Sequence, residues 1–141
     1  MNRVLIDTDI IIDFFYKREP FAHNAAEIFS LCETKEIQGF VTPVIISNVY
    51  YILRKTASHE KVIESIKTLL LITEVLIIDK NVIYQAIFSD FRDFEDALQN
   101  FAAVSNRNID LILTRNFKDF KNSTLAVMTP ENYLVIKGSK Y

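Results

Sequence analysis

The sequence predicts an α/β fold built on a mainly parallel sheet. Two observations carry this. Short apolar runs rich in branched side chains, such as Val4-Leu5-Ile6 and Leu111-Ile112-Leu113, alternate with segments whose apolar residues recur at helical spacing. Runs that brief, bounded by polar residues, fit strands buried on both faces, as parallel sheets require. In addition, helix-capping residues follow the strands, as in Thr8-Asp9 and Thr42-Pro43.

The first unit runs from Val4 to Phe15. Its strand stops at Asp7, Thr8 and Asp9 open a helix, and Ile10, Ile11, Phe14 and Phe15 recur at helical spacing. Asp7 therefore stands beyond the carboxyl end of a parallel strand, where ligands bind in open α/β sheets. Its ordinary alternative is to cap the next helix. Lys17-Arg18-Glu19-Pro20 is a charged break, and Asn24 to Glu33 reads as a helix with Ala25, Ala26, Ile28, Phe29 and Cys32 inward. Lys35 to Gly39 reads as a turn and Phe40-Val41 as a short second strand. Pro43 to Lys55 is a helix apolar nearly all round, so it is expected to be buried on more than one side. Ser58 caps a helix carrying Val62, Ile63, Ile66, Leu69 and Leu70.

Glu74 to Ile78 is the third expected strand, ended by Asp79. A helix from Asn81 to Phe88, a polar joint from Ser89 to Asp93 and a helix from Phe94 to Ser105 follow. Asn106-Arg107-Asn108 ends that helix, and Leu111 to Thr114 is the fourth strand. Asn116 to Phe120 is a helical turn, Leu125 to Met128 a fifth strand, and Thr129-Pro130-Glu131 the start of a last turn. Right-handed crossovers put the strand ends on one edge. With no repeat, low-complexity segment or boundary, residues 1–141 read as a single domain.

Half the residues are hydrophobic and 24% are charged, enough apolar material for a real core. A net charge of −2 gives no basic footprint for non-specific duplex binding. Phosphate contact through bound cations stays open. Cys32 is the single cysteine, which excludes an internal disulfide, suits a reducing cytoplasm and reads as small apolar filler. Asp7 cuts the first apolar run short of signal-peptide length. The uncharged stretch from Gly39 to Leu53 is too short for a membrane span and contains Pro43, so a cytoplasmic protein is expected.

Other chemistries find no support. His23 and His59 lie far apart and outside any metal-ligand spacing, and two glycines exclude a GxGxxG or Walker loop. Ser47 lacks a nucleophile elbow. Tyr50 and Tyr51 read as core or interface residues ahead of base-stacking ones.

Acids, by contrast, gather. Asp7 follows the first strand; Asp93 and Asp96, three residues apart and so on one face, open the helix before the fourth; Asp119 lies in the turn after it, beside Asn116. Each has an ordinary use, since Asp93 and Glu95 suit a helix start and Asp119 a surface. As a set on one edge they would repel unless something positive sat between them. Oxygen-only ligands point to a hard ion, Mg²⁺ or Mn²⁺, which suits phosphodiester cleavage by an activated water.

Three stretches together resemble the PIN domain, in particular VapC-type toxin nucleases: Leu5-Ile6-Asp7-Thr8-Asp9-Ile10; Asp93-Phe94-Glu95-Asp96-Ala97-Leu98 with Ala103; and Leu113-Thr114-Arg115-Asn116-Phe117-Lys118-Asp119-Phe120. The likeness spans nearly the whole chain. It implies a three-layer α/β/α fold with a five-stranded parallel sheet. It also implies a Mg²⁺- or Mn²⁺-dependent endoribonuclease acting on single-stranded RNA, commonly a homodimer, held inactive in its toxin forms by an antitoxin. By position, Asp7, Asp96 and Asp119 match the family's metal-binding and catalytic acids. Thr114 and Asn116 fall in its Thr-x-Asn-x-x-Asp stretch, and Asp93 is an extra acid nearby.

One position departs from the family. In Ile46-Ser47-Asn48-Val49-Tyr50, Asn48 stands where a Glu usually follows the Ser. An amide can coordinate a metal or bind a water but brings no charge. Asp9, where the family often has Asn, either restores that charge or only hydrogen-bonds the turn. Asn48 favours an alternative, a catalytically impaired PIN-fold protein that binds RNA or a protein partner; an interaction module with incidental acids is a third reading. A homodimer is expected through the Pro43–Lys55 helix and the one after Ser58, on the reasoning that Val49, Tyr50, Ile52 and Leu53 cannot all face one core.

Overall fold

The structure, a computed structural model, describes residues 2–106 and 108–138. Its first strand, β1 (Asn2–Ile6), is the centre of the sheet. On one side lie β2 (Ile37–Val41) and β3 (Thr73–Val75), on the other β4 (Leu111–Leu113) and β5 (Ala126–Met128). The order is β3-β2-β1-β4-β5 and every pairing is parallel. Val4, Leu5, Ile6, Ile112 and Leu113 are wholly buried, as central strands covered on both faces must be.

Helices cover both faces. Between β1 and β3 the chain forms α1 (Thr8–Phe15), α2 (Ala22–Glu33), α3 (Pro43–Leu53) and α4 (His59–Leu71). The return from β3 to β4 carries α5 (Lys80–Ile87) and α6 (Phe94–Ser105), and α7 (Pro130–Gly138) closes the described chain. Right-handed crossovers running opposite ways along the sheet put the two groups on opposite faces. The packing agrees: α1 lies on α2 and α3, α7 on α2, and α5 on α6. This is the expected three-layer α/β/α fold with a five-stranded parallel sheet.

Strand order reverses at β1, because β2 lies on one side of it and β4 on the other. The crevice beyond the carboxyl ends of β1 and β4 is thus the switch point at which such sheets bind ligands. Ile6 is in register with Leu113, and the Asp7 amide continues the ladder by donating to the Leu113 carbonyl at 3.0 Å.

Several boundaries differ from the sequence reading. β2 begins at Ile37, three residues earlier than expected, because Gly39 is a strand residue and not part of a turn. A Cβ at Gly39 would meet Cys32 Sγ at 2.7 Å, so the missing side chain is what lets α2 approach the sheet. Cys32 is the buried filler expected; burial pushes its thiol pKa up to about 12, which leaves it unreactive. β3 occupies Thr73–Val75 instead of extending to Ile78, since only Leu76 prolongs the pairing, through its amide to the Val41 carbonyl at 2.8 Å. The turn expected at Thr129-Pro130-Glu131 is the start of α7, with Pro130 as its first residue. Arg107, read as part of a helix end, lies outside the described residues. Among the described residues no helix is long and apolar enough to cross a membrane.

Candidate functional site

Asp7 sits where β1 hands over to α1, and both of its carboxylate oxygens are committed. Oδ1 accepts from the Thr8 amide at 2.8 Å and Oδ2 from the Thr114 hydroxyl at 2.9 Å. It is the N-cap of α1, so the capping use and the place at the switch point belong to the same residue. Burial raises its pKa above the usual carboxylate value; the two hydrogen bonds oppose this, and Asp119 and Glu95 add repulsion. Thr114, wholly buried, also receives the Asn116 amide at 3.0 Å and so ties the loop after β4 to Asp7.

Asp9 lies two residues on, in the first turn of α1. Its Oδ2 accepts from the Arg115 amide at 3.0 Å, while its Oδ1 is buried with no hydrogen-bond partner. Burial, then the charge of Asp7, pushes its pKa up to about 6. The hydrogen bond to the β4 loop fits the turn-holding use considered for it. The orphaned oxygen is nonetheless a free acceptor among acids.

The start of α6 supplies the facing acids. Asp93 is its N-cap, and its Oδ1 accepts from the Asp96 amide at 3.0 Å. Asp96 itself is pushed up to about 7, first by burial and then by Asp93, Asp7, Asp119 and Glu95. The charges of Asp7 and Asp119 thus act on Asp96, and that of Asp119 on Asp7. Asp119, exposed on the 3₁₀ turn Phe117–Phe120, is held by its amide to the Asn116 carbonyl at 2.9 Å. A cavity of about 470 Å³ joins Asp7, Asp9, Asn48, Glu95, Asp96 and Asn116.

From the sequence, Glu95 reads only as a helix-start acid. In the structure the Asn48 side-chain amide donates to Glu95 Oε1 at 3.0 Å, across from α3 to α6. Neighbouring residues on a helix point about a quarter-turn apart, so Glu95 and Asp96 diverge, one toward α3 and the other toward Asp119. The sequence signal is the acid density of Asp93-Phe94-Glu95-Asp96.

A second pair escapes sequence reasoning. Asp13 is 1% exposed, and Arg115 grips it with Nε at 2.6 Å and Nη2 at 3.1 Å while its guanidinium lies 3.9 Å from the Phe21 ring centroid. Arg115 thus joins α1 twice, by its backbone to Asp9 and by its side chain to Asp13. Its position in Thr114-Arg115-Asn116 is the only hint, because Asp13 sits inside an apolar helix pattern.

The donors fit a hard divalent cation in chemistry: all are oxygens, the acids repel, and one buried oxygen lacks a partner. Arg18 and Lys55 line the same cavity, and among the described residues neither pairs with Asp7, Asp9, Glu95 or Asp96. As they stand, no three Asp, Glu, His or Cys side chains among the described residues are drawn up closely enough to hold one ion. Asp119 and Glu95 are both exposed, and Glu95 is held by Asn48.

A family model described as PIN domain matches residues 3–118, and the chain belongs to that family. Its fold is shared with solved toxin–antitoxin structures. A toxin–antitoxin complex from Klebsiella pneumoniae matches with a TM-score of 0.68 at 21% identity, over 90% of this chain and 97% of that one. VapBC2 from Rickettsia felis, bound to a DNA fragment from its promoter, matches at 0.65 and 16%, over 89% and 96%. Mycobacterium tuberculosis VapC20, a sarcin–ricin loop cleaving toxin, matches at 0.63 and 15%, over 84% and 95%. At such identities the likeness speaks to the fold. None of the curated proteins matches this sequence.

Proposed function

We propose that this protein is an endoribonuclease that hydrolyses single-stranded RNA with Mg²⁺ or Mn²⁺, and that it is the toxin of a toxin–antitoxin pair, with an antitoxin and a second copy of itself as partners. The observation that carries the reading is that Asp7 and Asp96 open onto one cavity at the switch point of a PIN fold, with Asp119 on the adjoining cavity that Asp96 also lines. The toxin–antitoxin character of the structural neighbours supports the biological setting.

Asp7, Asp96 and Asp119 would hold the ion, with Glu95 as a further carboxylate. A divalent ion there supplies Lewis-acid polarisation of a phosphoryl oxygen and activates the attacking water. The chain's own groups do the positioning. Thr8 and Thr114 fix both oxygens of Asp7, so its carboxylate would meet the cation without reorienting. Asp93 holds the first turn of α6 and thereby Asp96. Asn116, exposed beside them, offers an amide to a phosphate oxygen or a water.

Asn48 favours a second reading, a PIN-fold protein with impaired catalysis that binds RNA or a protein partner. One experiment separates the two: Mn²⁺ titration by calorimetry and cleavage of unstructured RNA, for wild type and Asp7→Asn. The nuclease reading expects millimolar or tighter binding, a raised melting temperature by mass action, and loss of cleavage in Asp7→Asn. A wild type that neither binds Mn²⁺ nor cleaves leaves the binding-protein reading. Equal cleavage by both proteins means a contaminant and removes the site assignment.

A further inference from the structure

We propose that a second cavity, beside the acid cluster, seats a nucleotide of single-stranded RNA flanking the cleaved phosphodiester. The proposal rests on the nuclease reading above and names where its substrate lies. The cavity measures about 560 Å³ and lies between the 3₁₀ turn Phe117–Phe120, the loop that follows it and the start of α6. That volume is typical of small-ligand sites. It adjoins the candidate centre directly, because Asp96 lines both cavities and Asp119 lines this one.

Its lining has the two chemistries a nucleotide needs. Phe120, Leu125 and Val127 give an apolar floor, and Phe117 stands beside them 53% exposed, an aromatic face left open. Bases of single-stranded RNA stack on such faces. Arg92, Lys118 and Lys121, all exposed, supply the positive charge. Among the described residues none of the three makes an ion pair, although Asp93, Asp96 and Asp119 line the same cavity. An RNA strand approaching these acids is repelled; cations next to them that make no ion pair offset that locally, in a protein whose net charge of −2 gives no general attraction.

The cavity is also held open by the protein itself. Asn122 donates its side-chain amide to the Asp90 carbonyl at 3.1 Å, and Ser123 donates its hydroxyl to Asn100, which is 2% exposed. The Leu125 amide returns to Ser123 Oγ at 3.0 Å. A loop fixed by its own bonds adds little ordering cost when a ligand binds.

The test is fluorescence anisotropy with a labelled, unstructured oligoribonucleotide in EDTA, which separates binding from cleavage. The proteins are wild type, Phe117→Ala, the double variant Lys118→Ala/Lys121→Ala, and Val135→Ala on α7, 66% exposed, as a surface control. Phe117→Ala is expected to weaken binding about ten-fold. The lysine variant is expected to weaken it and to flatten the salt dependence, by roughly 0.7 in slope for each phosphate that is no longer neutralised, while Val135→Ala binds as wild type. Melting temperatures check folding, and photocrosslinking to an iodouridine-substituted strand is expected to mark the peptide holding Phe117. Unchanged affinity in both cavity variants, or crosslinks elsewhere, overturns the cavity assignment and leaves the nuclease reading standing if Mn²⁺-dependent cleavage is seen. Weakened binding in both variants of a protein that cleaves nothing supports the cavity and removes the nuclease. Polyglutamate competing as well as RNA overturns the assignment in favour of an acidic protein partner, and a wild type without RNA affinity overturns it outright.

Discussion

Asn48 faces Glu95 across the crevice, so a carboxylate stands on that side of the site even though position 48 lacks one; it comes from α6 instead of α3. Glu95→Gln is therefore expected to weaken Mn²⁺ binding about ten- to a hundred-fold, the loss typical when a supporting group is removed from a metal site. Asn48→Glu added to Glu95→Gln should recover most of it, by returning one negative charge to the same place. Calorimetric Mn²⁺ affinities that do not change in Glu95→Gln would leave Glu95 a surface acid. The crowding of acids has a second consequence. Asp96 is pushed up to about 7 and Asp9 up to about 6, both by burial first. An acid with a raised pKa holds its proton in the folded chain after the unfolded chain has lost it, so its contribution is fully present below the ordinary value of 3.8 and is lost as pH rises through the folded value. Without metal, the melting temperature is expected to fall from about pH 4 to about pH 7. Asp96→Asn should remove much of that fall, and Mn²⁺ should restore stability at the upper end. A metal-free melting temperature that rises over this range would show that the acids do not repel as placed.

Between β4 and α1 two neighbouring residues make the join. Arg115 gives its backbone amide to Asp9 and a two-pronged grip to Asp13, and the neighbouring Thr114 hydroxyl reaches Asp7. The loop that carries Asn116 and leads to Asp119 is thereby set against the first turn of α1. Asp13→Ala leaves the Arg115 guanidinium, 26% exposed, without its carboxylate, so it should cost about 1–3 kcal/mol in urea unfolding. Asp13→Leu with Arg115→Met, which removes both charges, should recover much of the loss. A cost near zero for Asp13→Ala would mean that the pair is solvated. None of this is legible in the sequence, because the partners lie 102 residues apart and only the fold brings them together. The elements themselves are legible, since apolar period and capping residues are local signals; Thr42 does cap α3, accepting from the Ile45 amide at 3.1 Å. One exception is the start of β2, where glycine's usual meaning as a turn gives way to its other use, a close approach of Cys32.

For the whole molecule, the apolar pattern foretells how much is buried but not which surface is left over. The expected homodimer rests on α3 being too apolar for one core, and that premise fails: Val49 and Leu53 are buried, and Tyr50 and Ile52 pack against the core. The sheet is covered from both sides, so one helix can bury residues toward the sheet and toward α1 and α4 together. On α3 the large apolar side chain left out is Tyr51, 67% exposed. More apolar surface is gathered beyond β3, where Ile77, Tyr84, Ile87 and Phe88 are all at least half exposed and Phe88 reaches 83%. Tyr84, Ile87 and Phe88 share one face by helical spacing, and exposed apolar patches of that kind mark interaction surfaces. If a second copy covers it, light scattering at micromolar concentration should give a dimer, and Phe88→Glu should give a folded monomer, because a charge buried in an apolar interface has no partner. Tyr51→Glu should leave the dimer intact. The reverse result, dissociation by Tyr51→Glu and not by Phe88→Glu, would return the interface to α3, and a monomeric wild type would remove the dimer altogether.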